Sequence, residues 1–248
     1  MSGINRCEIL ENREIARKIF RLRVSRPKGE SRPEPGQFVN VYLNDESRLL
    51  PRPLSVCDWE PGCLTLVYAV AGQGTEQLST YARGTPLRVS APLGNGFRLR
   101  GVDRAVLVGG GLGVAPLLYL GKTLVNRMPL RTVLGFRSEP FLVKNFPGIV
   151  EVATNDGSAG FHGTVTDLLS ETGAAPGAGL FACGPRPMLR ALAGFSQKRG
   201  LSLQVSLEER MACGYGACLG CVCKTKSGRR KVCEDGPVFD GGEVVWDA

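Results

Sequence analysis

The chain has 248 residues, 33 of them glycine, with nine cysteines, one histidine and a formal net charge of +8, a length that allows one large domain or two to three small ones. No apolar run is long enough for a membrane span, the charged N-terminal stretch gives no reason to expect a secretory signal, and the one basic cluster, KTKSGRRK at 224–231, lacks the interleaved aromatics of a nucleic-acid site. Nine cysteines without an export signal imply a reducing, cytoplasmic setting, where thiols ligate metals or catalyse more often than they form a disulfide framework.

The first hundred residues read as an antiparallel β-barrel. QFVNVYL at 37–43, LTLVYAV at 64–70 and TPLRVSAPL at 85–93 are short strand-like runs bounded by Gly- and Pro-containing turns. A helix is expected over 74–82 after a Gly-rich turn. From about residue 101 the texture changes to strand, glycine loop and helix (RAVLVGGGLGVAPLLYLGKTLV, 104–125), then strand again (RTVLGFRS, 131–138). GIVEVATND, TVTDLLSET, GLFACGPRPMLRALAGFSQKRG and LSLQVSLE continue the alternation to residue 208. Strands alternating with helices predict a Rossmann-like parallel sheet. The remainder, 209–248, is rich in cysteine and glycine and too small to bury a core of its own. The expected division is therefore 1–100, 101–208 and 209–248.

Two glycine loops and one short motif carry chemistry. Gly109, Gly110, Gly111 and Gly113, followed by Pro116, stand between a strand and a helix, where backbone N–H groups can approach a phosphate. Gly72, Gly74 and Thr75 form a second such turn. Upstream lies Arg52-Pro53-Leu54-Ser55. The Arg offers a fixed charge to a phosphate, and Ser55, three residues on, offers a hydroxyl to a heterocycle nitrogen. Separately each motif could be an ordinary turn or a surface arginine. A further loop, Cys183-Gly184-Pro185, follows a strand. His162 has no nucleophile partner, and no G-x-S-x-G elbow supports hydrolysis.

Cys213, Cys218, Cys221 and Cys223 fall within eleven residues, and Cys233 follows. A lone histidine excludes a Rieske centre and a two-cysteine, two-histidine zinc site within one chain. Zinc on four cysteines stays open, although only one C-x2-C pair is present. The spacing C-x4-C-x2-C with a distant fourth cysteine is that of plant-type [2Fe–2S] proteins. Cys223 and Cys233 both stand as candidates for the fourth position.

The order of these motifs resembles the ferredoxin–NADP reductase superfamily. With the cysteines and the tail VCEDGPVFDGGEVVW it is similar, over nearly the whole chain, to the electron-transfer subunits of class B dihydroorotate dehydrogenase. That resemblance implies FAD contacts from Arg52, Pro53, Leu54, Ser55, Val67, Tyr68, Ala69, Gly74 and Thr75. Ser55 would hydrogen-bond near flavin N5, the catalytic position, and aliphatic Leu54 stands where many superfamily members carry an aromatic. It implies a nicotinamide nucleotide site at Gly109, Gly110, Gly111, Gly113, Pro116, Cys183, Gly184 and Pro185. It favours Cys233 as fourth [2Fe–2S] ligand beside Cys213, Cys218 and Cys221. Arg137 could meet a 2′-phosphate that Glu139 would oppose, and it is the resemblance that tips the cofactor to NAD. Electrons would pass from an FMN-containing catalytic subunit that oxidises dihydroorotate, through [2Fe–2S] and FAD, to NAD+ in pyrimidine synthesis, in a heterotetramer with two of each subunit. The alternatives are a related flavin and iron–sulfur subunit serving a hydrogenase, sulfite reductase or ferredoxin, and a zinc-stapled nucleotide-binding module without turnover.

Overall fold

A computed structural model of the chain describes residues 3–26, 31–45 and 47–246. Six antiparallel strands close a barrel in the order β1-β2-β5-β4-β3-β6. They are β1 (Ile4–Ala16), β2 (Ile19–Ser25), β3 (Phe38–Tyr42), β4 (Arg52–Glu60), β5 (Cys63–Ala69) and β6 (Pro86–Ser90). Alternation along β3, β5 and β6 sends Val39, Val41, Leu64, Leu66, Leu87 and Val89 inward, and all are buried. β1 and β2 escape sequence reading. β1 carries bulges at Ile9/Glu11 and Glu14/Ala16, each of which breaks the period-two pattern. Helix α1 runs over Gln73–Ser79, shorter than expected because Thr80 and Tyr81 bond back to Gln77 and Leu78 in a closing turn.

The second layer is a seven-stranded sheet, β10-β9-β8-β7-β11-β12-β15. β7 (Ala105–Gly110), β8 (Leu130–Phe136), β9 (Ile149–Thr154), β10 (Phe161–His162), β11 (Gly179–Cys183) and β12 (Ser202–Ser206) run parallel. Helices α2 (Val114–Leu124), α3 (Val165–Thr172) and α4 (Arg186–Arg199) connect them. All six residues of β7 and all five of β11 are buried, as strands covered on both faces must be. Thr164 caps α3, its hydroxyl accepting from Asp167 N–H.

The tail does not form a core of its own. It contributes a hairpin, β13 (Val222–Thr225) and β14 (Gly228–Lys231), and a last strand, β15 (Val238–Asp240), antiparallel to β12. Cys221, Cys223, Val232, Cys233 and Val244 pack into the same apolar cluster as Leu203, Val205 and Leu207 of the parallel sheet. The deficit of apolar surface in 209–248 is thus met by sharing the neighbouring core. Among the described residues no helix is long and apolar enough to cross a membrane.

Candidate functional site

The barrel and the parallel sheet meet along a cleft of about 190 Å³. Its barrel wall is Phe38, Pro53, Leu54, Ser55 and Val67. The first half of β4 pairs with β3, Phe38 opposite Ser55 and Val41 opposite Arg52. Pairing of β4 with β5 begins only at Val56–Leu66, so Pro53, Leu54 and Ser55 part from Val67 and leave room between them. The opposite wall is Leu112, Ala115 and Pro116 from the start of α2. The floor is Leu207, Glu208, Glu209 and Met211, with Pro237 beside them. These floor residues follow the carboxyl end of β12, the place where open α/β sheets bind ligands. Position after a strand end is the signal by which Glu208 could have been found.

Glu208 opens onto the cleft with its side chain exposed, and nearby protein atoms still desolvate its carboxyl enough to raise the pKa above the ordinary value. Glu209 is tied to Arg186 at 3.5 Å. Cys183 ends β11 fully buried. Desolvation pushes its thiol well up, the Glu208 charge adds to this, and a Ser206 hydrogen bond opposes it. It is a packed core thiol.

Arg52 and the Gly74 turn, 22 positions apart in the chain, are in contact. A Cβ on Gly74 would stand 2.1 Å from Arg52 Nε, so the guanidinium lies directly on the start of α1. Arg52 Nη1 donates to the carbonyls of Leu50 and Pro51, both at 3.2 Å. Thr75 is occupied locally. Its Oγ1 accepts from the N–H groups of Ala71 and Gly72, at 2.9 and 3.2 Å, and donates to the Gly72 carbonyl. In β5 only Val67 faces the cleft. Tyr68 turns into the barrel, donates to Asn12 Oδ1 at 3.0 Å and stacks on Phe20. Ala69 sits opposite Ile19 of β2.

The glycine loop and the Cys183-Gly184-Pro185 loop lie side by side at the ends of the neighbouring strands β7 and β11. A Cβ on Gly113 would meet the Cys183 carbonyl at 2.3 Å, and one on Gly110 would meet Met188 Sδ at 2.5 Å. Gly111 differs: its φ of +54° needs glycine, and open space surrounds it. Two of these glycines therefore serve loop-to-loop packing, and Gly111 presents bare main chain outward.

The thiols of the tail form two pairs. Cys221 and Cys233 stand 3.2 Å apart, sulfur to sulfur, and Cys213 and Cys218 are joined by the Cys218 N–H, which donates to the Cys213 sulfur at 3.4 Å. Among the described residues no three ligand-type side chains gather on one ion position. Main-chain N–H groups point at the sulfurs: Tyr215 and Cys218 at Cys213, both 3.4 Å, Gly216 at Cys233, 3.2 Å, and Cys233 at Cys221, 3.4 Å. Gly214 and Gly216, with φ of +74° and +79°, turn the chain so that these donors face inward. Partial burial works against ionisation of Cys213, but the N–H groups of Tyr215 and Cys218 outweigh it and bring its pKa down to about 7. Desolvation, reinforced by the Cys221 thiol, pushes Cys233 up to about 12. Two thiol pairs ringed by N–H donors fit a binuclear cluster with two thiolates on each iron. Cys223, on β13, packs into the apolar core. Burial raises its thiol pKa, with the Glu209 charge second.

A family model described as the iron–sulfur cluster binding domain of dihydroorotate dehydrogenase B matches residues 208–245. The dihydroorotate dehydrogenase B (NAD(+)) electron transfer subunit of Caldanaerobacter subterraneus subsp. tengcongensis is 42% identical over 247 residues, covering 97% of this chain and 98% of that protein. The chain belongs to the dihydroorotate dehydrogenase B electron-transfer subunit family. The Bacillus caldolyticus member is 43% identical and spans 99% of this chain and 100% of its own length, so the family is an oxidoreductase-subunit family whose members match it end to end. A solved structure of an NADH-dependent reduced ferredoxin–NADP oxidoreductase, described for flavin-based electron bifurcation, superposes with a TM-score of 0.89 at 32% identity. It covers 100% of this chain and 92% of that one. A ferredoxin NADP+ reductase from Neisseria gonorrhoeae, solved with FAD and NADP, shares the fold at a TM-score of 0.68 and 17% identity over 79% of this chain and 92% of that one.

Of the family's expected site residues, the structure brings Pro53, Leu54, Ser55, Val67 and Pro116 together in the cleft. It adds Phe38, Glu208 and Met211, which the sequence patterns do not single out. Phe38 is hidden within an ordinary alternating strand, and Met211 within the lead-in to the cysteines.

Proposed function

We propose that the chain relays electrons between a dihydroorotate-oxidising, FMN-containing catalytic subunit and NAD+, with FAD in the cleft at Ser55 and a [2Fe–2S] cluster on Cys213, Cys218, Cys221 and Cys233. The observation that carries this is continuity. One segment, residues 207–213, lines the cleft with Leu207, Glu208, Glu209 and Met211 and two residues later supplies Cys213. A flavin bound there would supply the exchange between single electrons and hydride, chemistry that belongs to the cofactor. The chain's own residues hold and orient it. Arg52, lying on the Gly74 turn, would offset pyrophosphate charge, and the Ser55 hydroxyl would serve a ring nitrogen, N5 being the expected one. Leu54 and Val67 would supply apolar surface to the ring. Tyr68, Ala69 and Thr75 take part through main chain and turn geometry. Glu208 and Glu209 are the carboxyl groups of the cleft lining.

Gly109 to Gly113, Pro116 and the Cys183-Gly184-Pro185 loop form the nicotinamide nucleotide site, with Gly111 offering its main chain. NAD is favoured over NADP because Asp156 sits beside the end of β8, its N–H donating to the Arg137 carbonyl at 3.3 Å. Ser158 holds the Asp156 carboxyl below its ordinary pKa, and this charge, with Glu139, opposes a 2′-phosphate. The functional units are 1–100 for flavin, 101–208 for nucleotide and 209–248 for the cluster. In this reading the removal of a carbon-bound proton from dihydroorotate belongs to the catalytic partner, in a cytoplasmic complex of two subunits of each kind.

Anaerobic spectroscopy tests the reading. NADH should bleach both flavin and cluster absorbance of the isolated chain, and dihydroorotate should do so only after the catalytic subunit is added. A colourless, zinc-containing protein would refute it. The 0.89 superposition on the ferredoxin–NADP oxidoreductase structure supports a second reading, a subunit serving ferredoxin. Under that reading reduced ferredoxin, with no dihydroorotate-oxidising partner present, would drive NAD+ reduction.

A further inference from the structure

Strand β3 connects the cleft to the thiols. Its alternation sends Val39 and Val41 into the barrel and leaves Phe38, Asn40 and Tyr42 on the outer face. These three reach three parts of the site. Phe38 lines the cleft. Asn40 Nδ2 donates to the Cys213 carbonyl at 3.0 Å. The Tyr42 and Tyr215 hydroxyls lie 2.8 Å apart, and Arg88 stacks over the Tyr42 ring at 5.6 Å. Along its edge β3 pairs with the flavin segment, Phe38 with Ser55, Val39 with Leu54, Asn40 with Pro53 and Val41 with Arg52. On its other edge Val41 and Tyr42 pair with β6.

Asn40 is fully buried, yet its Oδ1 has no partner. An unmet buried acceptor is destabilising, and leucine would fill the same volume without it. The feature that only the amide supplies is the donor to Cys213. A Cβ on Gly214 would stand 2.5 Å from Asn40 Nδ2, so the loop rides over the asparagine with its main chain in contact. The peptide held in this way, between Cys213 and Gly214, directly precedes the one whose Tyr215 N–H points at the Cys213 sulfur.

We propose that Asn40 and Tyr42 are positioning residues for the iron–sulfur cluster, and that β3 is the spacer that fixes the cluster loop relative to the flavin segment. The proposal rests on the assignment of Cys213 as a ligand. Two effects follow from the geometry. A strand braced on both edges holds a fixed length, about 13 Å from Phe38 to Tyr42, and electron transfer falls steeply with separation. N–H groups held toward the sulfurs stabilise the more negative, reduced cluster and so tune its potential.

Asn40→Leu and Tyr42→Phe test this in the cofactor-loaded chain. Iron, labile sulfide and FAD are measured first, then the electron paramagnetic resonance spectrum of the reduced cluster and its redox titration. Both variants should retain FAD. Asn40→Leu should shift the spectrum and lower the reduced-to-oxidised ratio at a fixed poise by roughly fivefold, the effect of about one net hydrogen bond. Tyr42→Phe should shift it the same way by less. Iron-replete Asn40→Leu with the wild-type spectrum and potential would show that Asn40 only fills space, and would overturn the proposal. If Asn40→Leu holds no iron, Tyr42→Phe decides: a shifted spectrum supports the proposal, and an unchanged one overturns it. A wild-type chain without labile sulfide would overturn the ligand assignment itself, a result distinct from unchanged spectra in loaded variants.

Discussion

Replacing Cys233 and Cys223 by serine, one at a time, separates ligation from packing. Both thiols belong to the same apolar cluster, 3% and 4% exposed. Each substitution therefore buries a hydroxyl in place of a thiol, at a cost of about 1–3 kcal/mol where it finds no partner. For a chain of this size that lowers the melting temperature by roughly 2–4 °C per kcal/mol. The packing penalty is common to the two variants. The difference lies in the neighbours of each sulfur: Cys233 faces the Cys221 sulfur and the Gly216 N–H, both at 3.2 Å, whereas Cys223 lies outside the two thiol pairs. Oxygen is also a poorer match than thiolate for iron–sulfur chemistry. Cys233→Ser should lose iron and labile sulfide, and Cys223→Ser should keep both while melting a few degrees lower. NADH-driven reduction of an artificial acceptor should survive in each, because the proposed flavin contacts lie in the barrel. Transfer from the dihydroorotate-oxidising subunit should fail in Cys233→Ser alone. Hydrogen exchange adds a finer readout: β15 pairs with β12, so residues 238–240 should stay protected in Cys233→Ser while residues 213–221 open. Iron lost from Cys223→Ser and kept in Cys233→Ser would refute the ligand assignment.

Three further outcomes are expected. Arg52→Ala should weaken FAD binding about ten- to hundredfold, since a charge-assisted hydrogen bond is worth roughly 1.5–3 kcal/mol, and unchanged flavin retention on gel filtration would contradict the role. Gly113→Ala places a methyl 2.3 Å from the Cys183 carbonyl, an overpacking cost of about 1–3 kcal/mol; calorimetry and NADH titration should show a less stable chain with a weakened nucleotide site. Glu208→Gln should melt slightly higher than wild type at neutral pH in flavin-free protein, the effect kept small by the exposure of residue 208 to solvent. Desolvation raises the Glu208 pKa above its ordinary value, so its ionised form is a penalty above the folded pKa and is absent below the unfolded one, and the two melting curves should converge as pH falls through that window.

Parts of this architecture are legible in sequence because a local pattern determines them. β7 and β11 are uninterrupted apolar runs, and Arg52, Gly74, Gly109 to Gly113 and Cys183 fall in the order that carries the superfamily resemblance. Other parts are decided by tertiary contacts. The bulges of β1 erase its alternation. β15 is three residues long and is a strand only because β12 leaves an edge to pair with. The glycines look equivalent in sequence, yet Gly113 answers to the Cys183 carbonyl, Gly110 to Met188 and Gly111 to its own φ. Asn40 reads as one more polar residue on an alternating strand, and its partner lies 173 positions away.

The stability of the tail divides at the same place as its chemistry. From Cys221 onward the buried side chains share the core of the parallel sheet, and β15 completes that sheet. Between Cys213 and Gly220 the chain has no strand or helix, and Tyr215 and Leu219 are exposed. Its main-chain N–H groups at 215, 216 and 218 are directed at sulfur, so they contribute nothing to a ladder. Order in this loop then rests on the grip of Asn40 and Tyr42 from the barrel and, under the proposed assignment, on metal held by the thiolates. Asn95 provides a second grip beyond Cys233. Its side-chain amide donates to the Glu234 carbonyl at 2.9 Å, and its main-chain N–H donates to the Gly236 carbonyl at 2.6 Å. Both ends of the cysteine set are thus fastened to the barrel side of the molecule, while the middle is packed on the parallel sheet. Under the proposed assignment, a cluster on these cysteines could not shift relative to the barrel without straining its attachment to the parallel sheet, which is the mechanical condition for a relay of fixed spacing.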